Sequence, residues 1–315
     1  MNYLCGVSVF YSTEQIPAFK NPVLTIGSFD GVHEGHKAIL TNVVAEARKV
    51  GGESIVLTFE PHPRKIIQPH KPLGLLSSLD SKIDKITQAG IDHIVVVPFS
   101  RDFSMMDSKT YVTEFLYNTF KPHTIIIGYD HHFGHNREGN IAVLRSLLPD
   151  HVSVIEIEEQ LIREAHVSST QIRNAVLEGD MQAVTAMLGR PYQIEATVVH
   201  GNKIGRTIGY PTANLQPDYA DILVPGIGIY AVLVTIQEQT FKGMMSIGKR
   251  PTVTEDGNVT LEVNILDFDR DIYGEKLKVS FIAYVRGEEK LDGLDALKAK
   301  IAADEVCIRS ILADY

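Results

Sequence analysis

The sequence predicts an α/β domain built on a parallel sheet, followed by a smaller antiparallel barrel or sandwich that ends in a helix. Short apolar runs alternate with helical patterns through the first half of the chain. This alternation ends near Gly189, Arg190 and Pro191, and beyond them strand patterns follow one another with turn signals between them. A length of 315 residues also favours two hydrophobic cores over one. We place the two domains at residues 1–186 and 187–315.

Four apolar runs in the first half have the composition of strands buried on both faces. They are residues 23–26, 54–59, 93–97 and 124–127. Helical periodicity between and after these runs predicts helices over residues 36–50, 80–88 and 107–119. Such alternation predicts a parallel sheet covered on both sides, and sheets of this kind bind ligands beyond the carboxyl ends of their strands.

The second half contains five strand patterns, separated by Pro, Gly, Asp and Asn signals. The strands are predicted over residues 194–200, 227–236, 241–247, 259–268 and 276–285, with turns at 217–218, 255–258 and 269–271. The spacing is typical of an antiparallel barrel or sandwich. A final helix is predicted over about residues 294–312.

Composition excludes several classes of function. A formal net charge of −9 disfavours general binding to nucleic acid or to anionic membranes, which need a basic surface. The two cysteines, Cys5 and Cys307, lie far apart in the sequence and indicate neither a disulfide framework nor a metal cluster. The first residues lack the pattern of a secretion signal, and no apolar run is long enough to cross a bilayer as a helix. We expect a cytoplasmic protein with no nucleic-acid, membrane or obligatory protein partner.

The first candidate site is the segment GSFDGVHEGH at residues 27–36, where a buried strand gives way to a helix. Its glycines allow close backbone approach to a ligand, and a helix start favours phosphate. His33 and His36 share one face of that helix, and two imidazoles there can hydrogen-bond the oxygens of a phosphoryl group during attack. The alternative is two polar surface residues in a first turn. The glycines and the strand–turn–helix context favour the phosphate site.

Three further features of the first half have a chemical interpretation. The segment SST at residues 168–170 can cap a helix and present hydroxyl and N–H groups to an anion, and Arg173 lies one turn further on. An ordinary N-cap also explains the serines, and both interpretations can hold at once. Asp130 follows a predicted strand at the ligand-binding edge of the sheet. The neighbouring histidines 131, 132 and 135 lack an acidic or thiol partner at ligand spacing, so a loop beside a ligand pocket is favoured over zinc.

In the second half, residues 200–214 combine three glycines with basic and hydroxyl residues. The segment is typical of a loop around phosphates, and Thr212 and Asn214 offer the oxygen ligands that Mg²⁺ prefers. A glycine-rich turn whose polar groups bond its own backbone is an equal alternative on composition alone.

The residues 27–36 resemble the HxGH signature of nucleotidyltransferases, which have a Rossmann-like fold. The segments TFEPHP (58–63), IGYDHHFG (127–134) and SSTQIR (168–173) resemble, in order, the adenylyltransferase half of bacterial bifunctional riboflavin kinase/FAD synthetases. The segment GYPTAN (209–214) resembles the PTAN motif of riboflavin kinases, which are small antiparallel barrels. Supporting segments are GIYAV (228–232), SIGKRPT (246–252) and LEVNILDF (261–268).

The resemblance implies a role for each matching residue. Nucleotide and phosphate binding fall to Gly27, Phe29, Asp30, Ser169, Thr170, Arg173, Gly205 and Arg206. His62 and Asp130 contact the flavin, and Thr212 and Asn214 hold Mg²⁺ that enters with ATP. Catalysis falls to His33 and His36 in the first half. In the second it falls to Glu262, whose carboxylate takes a proton from the riboflavin 5′-hydroxyl.

The predicted function is two-step synthesis of FAD. Riboflavin and ATP give FMN, and FMN and a second ATP give FAD and pyrophosphate, so the binding partners are riboflavin, FMN, FAD and ATP. Two alternatives stay open at this point. One is another nucleotidyltransferase, such as a cytidylyltransferase, joined to an unrelated barrel. The other is a flavin-sensing protein with degenerate sites, although Thr212, Asn214, Glu262 and both histidines are intact.

Overall fold

The structure is a computed structural model of the 315-residue chain, and it describes residues 2–4, 6–129, 131–157, 167–201, 209–249, 259–289 and 293–315. The chain divides into two compact units. The first comprises Met1–Leu73 and Ser78–Ser169, and the second comprises Gly74–Ser77 and Thr170–Tyr315. The short piece Gly74–Ser77 joins the second unit because the Leu75 N–H donates to the carbonyl of Asp221 (2.7 Å), and the Leu75 carbonyl accepts from Leu223 (2.8 Å).

A seven-stranded sheet forms the centre of the first unit. Its strands are β1 Asn2–Leu4, β2 Val7–Phe10, β3 Val23–Ile26, β4 Ser54–Glu60, β5 His93–Pro98, β6 Thr124–Gly128 and β7 Ser153–Ile157. The spatial order is β1-β2-β5-β4-β3-β6-β7, with β1 antiparallel to β2 and all other neighbours parallel. The four strands predicted from sequence, β3 to β6, are confirmed and form the middle of this sheet.

Helices cover the sheet, which explains why its central strands are apolar on both faces. The helices of the first unit are α1 Glu34–Lys49, α2 Pro63–Ile67, α3 Leu79–Gln88, α4 Arg101–Ser104, α5 Ser108–Thr110 and α6 Ile141–Leu147. α3 begins where the Ser78 hydroxyl accepts a hydrogen bond from the N–H of Ser81 (3.2 Å). Alternate residues of β4 fall in different apolar clusters, Ile55 and Leu57 in one and Val56 in the other.

The helix predicted over residues 107–119 is present but irregular. α5 continues into a π-helix, Tyr111–Asn118, whose wider turn the apolar periodicity did not indicate. Tyr111 and Phe115 are buried on its inner face. Short π-helical turns occur frequently at functional sites, and this one places the Tyr111 ring 5.1 Å from the ring of Phe133, in a stacked arrangement.

The second unit contains a closed six-stranded barrel. Its strands are β8 Tyr192–Val199, β9 Ala213–Pro217, β10 Gly228–Ile236, β11 Gln239–Lys249, β12 Val259–Ile265 and β13 Lys276–Arg286. The order is β10-β11-β12-β9-β8-β13, and β13 also pairs antiparallel with β10. That last pairing closes the sheet, so the barrel is confirmed and the sandwich is not. The buried residues of β8 alternate, as a half-buried strand requires: Tyr192, Ile194, Ala196 and Val198.

The second unit differs from the sequence prediction at β9, which no strand pattern indicated. Its first two residues, Ala213 and Asn214, end the segment that we interpreted as a phosphate-binding loop, because Pro, Thr and Asn are typical turn residues. The strand forms there because Leu215 pairs with Leu261 of β12 inside the barrel. Two helices, α7 Ser169–Glu178 and α8 Met181–Leu188, precede the barrel strands. The turn predicted at residues 255–258 lies outside the described residues.

A C-terminal helix packs against the barrel, as predicted. This helix, α9 Leu294–Ile311, contributes Ile308 to an apolar cluster that also contains Ile229 and Leu266. Within the described residues, no helix has the combination of length and hydropathy that crossing a membrane requires.

Candidate active sites

The first site is built on the turn that follows β3. The N–H of Gly27 donates to the carbonyl of Leu57 at 3.0 Å, which holds the end of β3 against β4. Phe29 (φ 48°), Gly31 (φ 82°) and Val32 (φ 41°) all take left-handed backbone angles. Such angles cost non-glycine residues about 1–3 kcal/mol each, and they persist only where the surroundings enforce them. The turn therefore has a strained shape that its neighbours must hold.

Both histidines of the motif lie where this turn becomes a helix. His33 is the N-cap of α1, and its Nδ1 accepts a hydrogen bond from the N–H of His36 at 3.3 Å. The two rings stack with centroids 3.7 Å apart and planes 18° apart. His33 is 5% exposed. The sequence predicted that both side chains share one face at a helix start, and the structure brings the rings into direct contact.

His36 is held in its neutral form. Burial, then the nearby His33, then the Lys82 ammonium lower the pKa of His36 well below its usual value. In the described part of the chain, Nδ1 of His36 has no hydrogen-bond partner. A neutral imidazole keeps one donor and one acceptor, so the ring can donate one hydrogen bond to a phosphate oxygen.

A buried lysine that contacts the turn was not predicted from the sequence. Lys82 of α3 is 5% exposed, and its ammonium donates to the carbonyls of Ser28 (3.3 Å) and Phe59 (3.2 Å) and to the hydroxyl of Thr58 (3.3 Å). Burial lowers its pKa, against the opposing effect of nearby carboxylates. The helical periodicity of α3 contains the signal that could have identified this lysine. Lys82 lies on the same helical face as Leu79, Ile83 and Ile86, where a charged residue is out of place.

The SSTQIR segment has mixed contacts. The Ser169 hydroxyl donates to the carbonyl of Asp30 at 3.1 Å, so it also holds the turn. Thr170 is exposed in the first turn of α7. Arg173, in the second unit, donates from Nε to the carbonyl of Gly74 at 2.8 Å. The predicted phosphate contacts of these residues stay predictions, and Asp130 lies outside the described residues.

A cavity of about 650 Å³ opens at the carboxyl edge of the sheet. Its wall includes Gly27 and Ser28 after β3, and His62, which caps α2 through an Nδ1 that accepts from the N–H of Arg64 at 3.2 Å. The predicted pocket-side histidines 131, 132 and 135 also line it. Its aromatic wall is formed by Phe59, Phe99, Phe103, Tyr111 and Phe133. The aromatic side chains suit a planar ligand, and the arginines and histidines on the same wall suit a negatively charged one.

The second site lies on the barrel, where β9 and β12 are neighbours. The Thr212 hydroxyl donates to Oε2 of Glu262 at 3.2 Å, and Asn214 stands directly across from Glu262 in the strand register. The Asn264 amide donates to the carbonyl of Pro211 at 2.7 Å. Glu262 and Asn264 thus reach adjacent residues from one face of β12, as the strand alternation predicted. The predicted metal and base residues come together here.

Gly201 explains how the asparagine fits. The Asn214 amide lies directly against the Gly201 backbone, in space that any larger side chain would occupy. Thr212 also lines a cavity of about 520 Å³, together with Val263, Ile265 and Arg270. Among the described residues, Glu262 is not part of that wall, and its hydrogen bond with the Thr212 hydroxyl links it to the cavity. The predicted phosphate residues Gly205 and Arg206 lie outside the described residues.

Oxygen donors dominate this site. The described residues include no group of three or more His, Cys, Asp and Glu side chains placed to hold a metal ion. A hydroxyl, an amide and one carboxylate fit a hard cation such as Mg²⁺ that arrives with its own phosphate ligands.

Comparisons with known proteins cover both halves of the chain. The family model for FAD synthetase matches residues 15–171, and that for riboflavin kinase matches residues 188–312. A Listeria monocytogenes protein described as bifunctional riboflavin kinase/FMN adenylyltransferase is 36% identical, over 93% of each chain. A Pseudomonas fluorescens protein of the same description is 35% identical, over 94% of this chain and 95% of its own. A Streptococcus pneumoniae crystal structure described as a macrolide-efflux protein is 31% identical with a TM-score of 0.85, covering 96% of this chain and 99% of that one.

The two family matches, one on each half of the chain, define a nucleotidyltransferase and a kinase carried on one chain. The chain belongs to the family of bifunctional riboflavin kinase/FMN adenylyltransferases. It is a transferase with both activities, and ATP is the second substrate of each. The alternative of an unrelated barrel is excluded because the riboflavin kinase model matches that half.

Proposed function

We propose that the chain makes FAD from riboflavin in two steps at two separate sites, with adenylyl transfer at His33 and His36 and phosphoryl transfer at Glu262. The observation that carries this division is the placement of the stacked histidines in the first compact unit and of the Thr212–Glu262 pair in the second. In this proposal residues 1–186 form the adenylyltransferase and residues 187–315 the kinase.

In the kinase step, the 5′-oxygen of riboflavin attacks the γ-phosphorus of ATP and ADP leaves. Glu262 takes the hydroxyl proton as the new O–P bond forms. The hydroxyl of Thr212 fixes the orientation of the carboxylate. Thr212 and Asn214 would hold Mg²⁺, which neutralises phosphate charge when bound. Gly205 and Arg206 would contact the phosphates.

In the adenylyl step, a phosphate oxygen of FMN attacks the α-phosphorus of ATP, and the bond to pyrophosphate breaks. The attacking oxygen is already ionised, so no base is required. His33 and His36 donate to the α-phosphate oxygens as their charge grows, and the backbone of Gly27, Phe29 and Asp30 forms the floor of the site.

The remaining binding residues divide between the two substrates. Ser169, Thr170 and Arg173 bind the ATP phosphates. The isoalloxazine ring occupies the 650 Å³ cavity near His62, with Asp130 as a further contact. The location we propose is the cytoplasm, where ATP is available to both sites.

The test is a product assay with riboflavin or FMN as the starting flavin, in the presence of ATP and Mg²⁺. Replacing His33 and His36 by alanine should stop the reaction at FMN, while Glu262→Ala should block FMN formation and spare FAD formation from supplied FMN. Matched controls are His151→Ala and Glu195→Ala, which remove exposed side chains of the same type from the same units. Loss of both activities in either folded variant would refute the division.

A further inference from the structure

We propose that Lys82 is a positioning residue for adenylyl transfer, and that its ammonium holds the turn over residues 27–33 in the shape that presents His33 and His36. This inference rests on the role proposed above for the two histidines. Lys82 itself touches no substrate in the proposal and acts through the turn.

The hydrogen-bond partners of Lys82 fit a lysine that binds as an ammonium. The Thr58 hydroxyl gives its hydrogen to the carbonyl of Ser28 at 3.2 Å, so it can only accept from Lys82. Two carbonyls supply the other acceptors. Three acceptors match the three hydrogens of an ammonium, whereas a neutral amine has two. The charge is therefore placed between the ends of β3 and β4.

The turn needs such a contact because its shape is strained at Phe29 and Val32. Ser169 holds the carbonyl of Asp30, and Lys82 holds the carbonyl of Ser28, two residues earlier. A buried charge is costly, and an apolar side chain would fill the same space on α3 without that cost. The lysine therefore indicates a requirement at the turn beyond packing.

The same ammonium acts on His36. The titratable groups that act on His36 in the described structure are His33, at the start of its own helix, and Lys82, from α3. Asp30 and Glu60 favour the charged form of Lys82. Removing the Lys82 charge removes a repulsion, so the pKa of His36 rises and the ring protonates at higher pH.

The experiment compares three variants of the full chain: Lys82→Met, Lys82→Arg and Thr58→Val. FAD formation from supplied FMN is measured from pH 5 to 9, with riboflavin phosphorylation by the same sample as the internal reference. We expect Lys82→Met to lower kcat for FAD formation about 10- to 100-fold and to move the acid limb of its pH profile upward. Lys82→Arg should recover part of kcat. Thr58→Val should lower kcat without moving the limb, because it keeps the charge.

Two results would overturn the inference. One is wild-type kcat and an unmoved acid limb in Lys82→Met. The other is an equal loss in Lys82→Met and Lys82→Arg with an unmoved limb, which would make Lys82 a folding residue only. If Lys82→Met does not fold, kcat for FAD formation in Thr58→Val decides, and a wild-type kcat in that variant would overturn the inference. Retained FAD formation in His36→Ala would instead refute the proposed role of the histidines, independently of Lys82.

Discussion

The ion pair between Arg286 and Asp304 should raise the temperature at which the kinase activity is lost on heating. Arg286 on β13 contacts Asp304 on α9 in two-pronged geometry, with Nε–Oδ1 at 2.9 Å and Nη2–Oδ2 at 2.7 Å. The side chains are 17% and 6% exposed. Asp304→Ala removes the carboxylate from a guanidinium that is half-buried, so the cost is below that of a fully buried pair, about 2–3 kcal/mol. In a unit of about 150 residues this lowers Tm by about 4–12 °C.

The assay uses the two activities of one sample. The protein is heated in steps and cooled, and riboflavin phosphorylation and FAD formation from FMN are measured separately. Asp304→Ala should move the inactivation midpoint of the kinase only. Lys300→Ala is the matched control on the same helix, because its pair with Glu289 (3.1 Å) is more exposed and contributes less than about 1 kcal/mol.

A double variant separates charge from packing. Replacing Arg286 by Met together with Asp304 by Leu removes both charges. The inactivation midpoint of the kinase should therefore recover most of the decrease seen in Asp304→Ala. A kinase midpoint within 2 °C of wild type in Asp304→Ala, judged against roughly 2–4 °C per kcal/mol, would refute the reasoning. It would mean that α9 is held to the barrel by its apolar contacts alone.

Three further predictions concern the sites. Gly201→Ala places a Cβ in the space of the Asn214 amide, so kcat of the kinase should fall about tenfold or more. FAD formation should stay unchanged when it is measured separately, with FMN as the starting flavin. Gly139→Ala overlaps the Phe133 ring on the cavity wall, so KM for FMN should rise several-fold while KM for riboflavin does not. The lowered pKa of His36 means that the unfolded chain binds its proton first as pH falls below about 6.5, which costs up to about 1.4 kcal/mol of stability per pH unit. Urea midpoints at pH 7.5 and 5.5 should therefore differ less in His36→Asn than in wild type.

The sequence predicted the central fold because its signals are local. The runs that form β3 to β6 are short and apolar, and their burial on both faces follows from the helices between them. β9 was missed for the opposite reason. The Asn and Pro residues of this strand favour turns, and the strand forms because Leu215 pairs with Leu261 of β12 in the barrel. The π-helix was missed because its apolar pattern also fits an α-helix.

The candidate sites divide in the same way. His33 and His36 lie within one motif, and the structure stacks their rings as close neighbours. The partnership of Thr212 with Glu262 spans 50 residues, and here the family resemblance, rather than spacing, brought the two together. Lys82 belongs to no motif. Only its position on an apolar helix face distinguishes it, and that signal specifies no partner.

Both sites share a physical design. In each, a side chain from a distant strand or helix donates to a backbone carbonyl of the segment that carries the proposed catalytic or metal-binding groups. Lys82 donates to Ser28 in the first site, and Asn264 donates to Pro211 in the second. Phosphoryl and adenylyl transfer depend mainly on positioning, because the phosphates bring the charge and the leaving group themselves. Small errors in the turn therefore cost rate directly. Both supporting residues lie more than 50 residues from the carbonyl that they hold, and Lys82 lies outside every motif, so motif comparison alone does not identify it.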